Sequence, residues 1–147
     1  VTRLLAIIDT NVVVSGLISG DPRALVCRVL DGMLTASFIY LLSPALLDEY
    51  REVLLRPKLK KYHGLSAVEV DRILEDIVAN AIWREPNQSF AAPEPGDDHL
   101  WALMAMHRGC LLVTGDRLLL DNPPDFASVV SIQSFVELLG WVGKKPF

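Results

Sequence analysis

The chain of 147 residues carries acids whose spacing suits phosphoryl chemistry. Asp9 ends an apolar run in Asp9-Thr10-Asn11, and Asp116 ends another in Val113-Thr114-Gly115-Asp116. Asp97 and Asp98 follow the Pro95-Gly96 turn, and Glu49 lies in Leu46-Leu47-Asp48-Glu49-Tyr50-Arg51-Glu52. Spacing alone leaves Asp48 and Glu52 open beside Glu49, and leaves Asp97 and Asp98 equivalent. Each acid by itself reads equally well as a turn residue, a helix cap or a solvated helix face. Gathered together they repel: two carboxylates ~4 Å apart cost ~4 kcal/mol at an effective dielectric of ~20. Such a cluster persists when protons or divalent cations neutralise it, and oxygen-only ligands suit Mg²⁺ or Mn²⁺. A carboxylate-bound ion that keeps several waters suits phosphodiester hydrolysis.

Those acids need elements to hold them. Residues 4–8, 38–42, 110–114 and 129–132 are short apolar runs, as expected of strands buried on both faces, and 82–83 opens one more. Helical spacing covers 24–34, 44–55, 66–81, 97–108 and 133–139. Ser43-Pro44 marks a helix start, Ser66 with Glu69 forms a capping box, and Gly109 is expected to cap the helix before it. Residues 15–22 read as turn-rich and 56–63 as a basic stretch. Five strands alternating with helices predict a parallel sheet covered on both faces. Ligands bind beyond the carboxyl ends of such strands, where Asp9 and Asp116 fall.

Composition bounds the answer. Fourteen Lys and Arg stand against eighteen Asp and Glu, a net charge of -4, and 51% of residues are hydrophobic. These numbers predict one folded domain over 1–147 and exclude intrinsic disorder. The chain begins with Val1 rather than Met, and a few upstream residues are expected. Cys27 and Cys110 form no CxxC pair and are expected as buried free thiols in a reducing cytosol. Asp9 and Asn11 interrupt the apolar start, so neither a signal peptide nor a membrane helix is expected, and the location is expected to be cytoplasmic. The acidic balance disfavours a bulk duplex-DNA binder. No GxxxxGK[ST], GxGxxG or GxSxG pattern is present. Arg56, Lys58, Lys60 and Lys61, with Tyr62 and His63, either grip an RNA backbone or form a solvated connection. His99, next to Asp98, either is a surface residue at a helix start or aids catalysis or substrate contact. His63 and His107 lack metal-ligand spacing, and Trp83, Trp101 and Trp141 are expected in the core or at an interface.

The order of Asp9-Thr10-Asn11, the Glu49 helix, Asp97-Asp98-His99-Leu100-Trp101-Ala102-Leu103 and Val113-Thr114-Gly115-Asp116 resembles the PIN-domain family. Leu55-Arg56-Pro57-Lys58-Leu59 is similar to its branch of toxin components of toxin–antitoxin systems. The resemblance runs from Leu4 to about Leu139 and implies a three-layer α/β/α sandwich around a mostly parallel five-stranded sheet. It implies a Mg²⁺- or Mn²⁺-dependent endoribonuclease, with an RNA substrate, a small antitoxin partner and a homodimer. The family's four acids match Asp9, Glu49, Asp98 and Asp116, with Asp98 preferred over Asp97 because Leu100 and Trp101 follow it at the family's spacing. Asn11 and Thr114 match its supporting polar residues. Without Asp9, Glu49, Asp98 and Asp116, fourteen acids balance fourteen bases, so the excess charge is expected in one pocket. Two other readings are a non-catalytic PIN-like regulatory or protein-binding module and a haloacid-dehalogenase-type phosphatase. The intact acids oppose the first. The second wants an Asp where Asn11 stands and a Lys where only Arg117 is offered.

Overall fold

A computed structural model describes residues 4–141, and the expected span of 1–147 runs past them at both ends. The strands are β1 (Leu5–Ile8), β2 (Ile39–Leu42), β3 (Ile82–Trp83), β4 (Leu111–Val113) and β5 (Ser128–Val130). They form one sheet in the order β3-β2-β1-β4-β5, with every pairing parallel. Ala6, Ile7 and Ile8 are consecutive in β1 and all fully buried. Successive strand residues point to opposite faces, so helices cover both sides and the fold is the expected α/β sandwich.

Among the described residues eight α-helices surround the sheet: α1 (Thr10–Ile18), α2 (Leu25–Leu34), α3 (Pro44–Leu54), α4 (Pro57–His63), α5 (Ala67–Asn80), α6 (Asp98–Met106), α7 (Arg117–Asp121) and α8 (Ile132–Leu138). The start signals work as read. Ser43 Oγ accepts from Leu46 N–H (3.2 Å) with Pro44 at the first position of α3, and Ser66 and Glu69 close their capping box on α5. Cys27 and Cys110 are buried and free. Trp101 is buried, whereas Trp83 on the edge strand is 39% exposed. Among the described residues no helix is long and apolar enough to cross a membrane.

Three helices depart from expectation. The first is α1, which begins directly after β1, where 15–22 had read as turn-rich. Val12, Val13 and Val14 are weak helix formers, but their side chains are buried, and packing overrides propensity. Gly16 lets α1 approach α2 closely: a Cβ there would lie 2.8 Å from the Val26 carbonyl oxygen and 3.0 Å from Leu30 Cβ. Gly16→Ala is therefore expected to cost about 1–3 kcal/mol in a denaturant melt, through overpacking against a backbone that cannot yield. The second is α4, which turns the basic stretch into a helix, with Pro57 at its first position and Gly64 in the left-handed region (φ 67°) ending it. The third, α7, has five residues, too few to show a period. Gly109 does not cap α6, which ends at Met106; with φ 88° it shapes the turn into β4, and its N–H donates to the Phe126 carbonyl (3.1 Å).

Candidate active site

The central strands β1 and β4 end side by side, and the residues that follow them are laced together. Asp9 N–H donates to the Val113 carbonyl (3.0 Å), which carries the ladder to the strand ends. Asp9 caps α1, with Oδ1 accepting from Thr10 N–H (2.8 Å). Its Oδ2 accepts from the Thr114 hydroxyl (2.7 Å) and from Asn11 Nδ2 (3.1 Å). The Thr114 oxygen in turn accepts from Asn11 Nδ2 (3.2 Å) and Asp116 N–H (3.0 Å). One donor and two acceptors exhaust a hydroxyl, so Thr114 is fully committed to holding this corner. Asn11 Oδ1 accepts from Gly115 N–H (3.0 Å), which closes the link between the two strand ends. Asn11 and Thr114 are thus both hydrogen-bonded to Asp9 and to each other.

Replacing this hydroxyl tests the lacing. Thr114→Val leaves the Asp116 N–H and the Asp9 carboxylate short of a partner. It is expected to lower stability by about 1–3 kcal/mol in urea melts.

Glu49 reaches the same place from α3. The Tyr50 hydroxyl donates to the Ile8 carbonyl and fastens α3 over the end of β1. The two Glu49 oxygens each meet one partner: the Thr10 hydroxyl donates to Oε1, and His99 Nε2 lies 3.1 Å from Oε2. Sequence spacing alone does not mark Thr10 or His99 as the support of an acid. Thr10 is the middle residue of Asp9-Thr10-Asn11, and that adjacency was the available signal. The His99 contact spans 50 residues, and nothing local in the sequence announces it.

The third acid requires a correction. Asp97, not Asp98, joins Asp9, Glu49 and Asp116 in lining a cavity of about 360 Å³ at the carboxyl edge of the sheet. A 3₁₀ turn (Pro95–Asp97) leads into α6, and Asp97 occupies the helix N-cap position without making a capping hydrogen bond. The Asp98 carboxylate instead accepts from Ala92 N–H (2.8 Å) and ties down the preceding loop. Successive residues here point about 100° apart, and the Asp97 carboxylate takes the cavity side while that of Asp98 turns to the loop.

The cavity is electrostatically loaded. Burial pushes the Asp9 carboxyl above its ordinary value, against the hydrogen bonds from Thr114 and Thr10, and the charges of Glu49 and Asp116 push the same way. Asp97 is pushed up to about 6, first by burial and then by Asp9, Glu49 and Asp116. Glu49 is held below its ordinary value, chiefly by the hydrogen bond from His99, with burial opposing and Thr10 assisting.

A cation would relieve this load, and the lining offers oxygen donors, the set that hard ions such as Mg²⁺ and Mn²⁺ prefer. Among the described residues no three His, Cys, Asp or Glu side chains converge tightly enough to grip a bare ion. The residues therefore fit an ion that keeps much of its water and touches one or two carboxylates, the usual manner of Mg²⁺.

The basic residues stand nearby. Arg56, Lys58, Lys60 and Lys61 are exposed, and α4 packs on α1 and α3, the helices that bear Thr10 and Glu49. Arg56 pairs with Glu52 (3.0 Å), and its charge also helps hold Glu49 low. His63 is structural. Its Nδ1 accepts from Leu65 N–H (3.0 Å), so its Nε2–H donates to the Leu54 carbonyl at the end of α3 (2.8 Å).

Comparison with known proteins follows the same lines. The chain is 29% identical over 119 residues to an uncharacterized protein of Methanocaldococcus jannaschii, MJ1680, covering 81% of this chain and 75% of that one. Among solved structures it is similar to the PIN domain of T. brucei RRP44, with a TM-score of 0.49 at 12% identity over 97% of this chain and 84% of that one. A family model described as PIN domain matches residues 6–118. That span opens in β1, closes in α7 and takes in every acid of the cavity, and the chain belongs to the PIN domain family.

Proposed function

We propose that the protein is a Mg²⁺- or Mn²⁺-dependent endoribonuclease that hydrolyses phosphodiester bonds of single-stranded RNA. PIN domains are generally nucleases. The observation that carries the reading is the gathering of Asp9, Glu49, Asp97 and Asp116 around one cavity, although they come from four separate parts of the chain. Asp9 and Asp97 would hold the ion directly, with Glu49 and Asp116 bonding to its waters. A bound divalent ion supplies charge neutralisation at the phosphate and a water of lowered pKa.

The chain's own residues prepare the rest. Thr114, Asn11 and the Thr10 amide fix the Asp9 carboxylate, so it does not reorganise when charge develops nearby. Thr10 and His99 keep Glu49 ionised and fixed in direction, as suits a group that orients water or takes up its proton. Arg56, Lys58, Lys60 and Lys61 supply positive charge for the RNA backbone beside an otherwise negative cavity.

The finer biological reading is a toxin neutralised by a small antitoxin protein, acting in the cytoplasm as a homodimer. Its support is the motif order together with the similarity of Leu55-Arg56-Pro57-Lys58-Leu59 to that branch of the family. The non-catalytic alternative loses ground because all four acid positions of the cavity are filled by carboxylates.

The test is incubation with single-stranded and structured RNA, with Mn²⁺, with Mg²⁺ and with chelator. Cleavage of the single-stranded substrate that stops on chelation and resumes with Mn²⁺ is expected. Chelator-insensitive cleavage, or none under any condition, would contradict the reading.

A further inference from the structure

We propose that a second cavity on the same edge of the sheet binds one unpaired nucleobase next to the bond to be cleaved. This rests on the reading of the acid cavity as an RNA-cleaving site. The second cavity, of about 280 Å³, is bounded by Ser43 and Pro44 at the start of α3, by Glu85, Pro86 and Gln88 beyond β3, and by His99 of α6. It lies over the ends of β2 and β3: Ser43 follows β2 directly, and Arg84 N–H donates to the Leu42 carbonyl (2.9 Å) where the two strands part. The acid cavity lies over the ends of β1 and β4, immediately alongside in the sheet.

One hydrogen-bonded pair runs from one lining to the other. Glu49 lines the acid cavity, His99 lines the second, and Nε2 of the imidazole is 3.1 Å from Oε2 of the carboxylate. Two cavities whose linings meet in one hydrogen-bonded pair match two consecutive parts of one nucleic-acid strand: a phosphate and the base beside it.

Size, surface and charge point to a base. Clefts for drug-sized ligands begin near roughly 300 Å³, so this one suits a single small ring system. Pro44, Pro86, Ala102 and the His99 ring offer flat or apolar surfaces against which a base can stack. Among the described residues no Lys or Arg lines it, and the Glu85 carboxylate repels a phosphate. Trp83 Nε1–H donates to Glu85 Oε1 (3.4 Å), which steadies that carboxylate at the rim. A carboxylate selects bases by their N–H groups. Guanine presents two adjacent donors on its Watson–Crick edge, whereas uracil presents one donor between two carbonyl oxygens that Glu85 repels. Guanine is therefore bound best and uracil worst.

The experiment titrates the ¹⁵N-labelled protein, in chelator, with guanosine, adenosine, cytidine, uridine and inorganic phosphate in separate series, following backbone amide shifts. Guanosine is expected to move the amides of Ala45, Gln88 and Ala102, with uridine at least tenfold weaker and phosphate without effect there. Glu85→Gln is expected to weaken guanosine about tenfold, the loss of one paired contact to a base edge. Ala45→Phe fills the rim from an exposed position and is expected to abolish the response with the melting temperature unchanged. Silence of these amides to every nucleoside, an equal response in Ala45→Phe, or a response to phosphate would overturn the proposal. The nucleosides contain no phosphodiester and no metal is present, so the result is independent of hydrolysis. RNA cleavage without nucleoside binding removes the base site alone; nucleoside binding without cleavage removes the nuclease reading alone.

Discussion

Asp9→Asn is expected to lower metal-dependent RNA cleavage on the order of a thousand-fold while leaving the protein folded. The two effects separate because Asp9 has two jobs. As a cap its Oδ1 accepts from Thr10 N–H, and an Asn side-chain oxygen serves that role about equally well. As a negative charge it sits in a buried corner where burial and its acidic neighbours already raise its carboxyl above the ordinary value. A folded-state value above the unfolded one means that ionisation of this carboxyl opposes folding at neutral pH, and Asn removes that opposition. Circular dichroism is expected to match the wild type, and the melt to move only modestly, because losing the bonds from Thr114 and Asn11 at Oδ2 offsets the relief of the buried charge, while initial rates of cleavage collapse. A variant that unfolds would put Asp9 among structural residues; one that stays active would remove it from the mechanism.

The second expected result is a contrast between adjacent residues. Asp97→Asn is expected to lower cleavage by about 10²–10³-fold, whereas Asp98→Asn leaves it within a few-fold of wild type. Their effects on stability should run in opposite directions. The folded-state value of Asp97, about 6, lies above the ordinary 3.8, so the folded protein holds this proton after the unfolded chain has lost it. Its contribution to stability therefore falls as pH rises from about 4 to about 6, and the full penalty remains above that. Asp97→Asn removes the penalty. Solvent reaches the group, so the gain at pH 7 is about 1 kcal/mol, and it vanishes at pH 4. Asp98→Asn instead weakens the charge-assisted bond to Ala92 N–H and is expected to cost about 1 kcal/mol at neutral pH. Urea melts of both variants at pH 4 and pH 7, beside cleavage rates, measure all of these effects. Equal losses of activity in the two variants would contradict the placement of Asp97 in the cavity.

Which parts of this were legible before the structure follows from how local each signal is. The strands were plain because β1, β2 and β4 are buried on both faces, which writes them as unbroken apolar runs. Helices α3 and α5 were plain because their starts carry Ser43-Pro44 and the Ser66–Glu69 box. In contrast, α1 owes its existence to packing. Val12, Val13 and Val14 favour extended backbone, and Gly16 is explained only by the nearness of α2, which no local pattern reports.

The site divides the same way. Asp9 and Asp116 follow central strands, so topology alone brings them to one edge. Glu49 could be separated from Asp48 and Glu52 only by knowing which face of α3 meets β1, and the Tyr50 hydroxyl on the Ile8 carbonyl is what sets that face. Asp97 and Asp98 differ by one residue of rotation, decided by the 3₁₀ turn that precedes α6. The His99 link to Glu49 is a tertiary contact and was beyond any spacing argument.

The central claim is that these carboxylates form a site for a divalent cation, and Mn²⁺ titration followed by electron paramagnetic resonance tests it most directly. The free-ion signal is expected to be depleted saturably by the wild-type protein and by Asp98→Asn, and much less by Asp9→Asn and Asp97→Asn. Equal depletion by all four proteins, or none by the wild type, would contradict it.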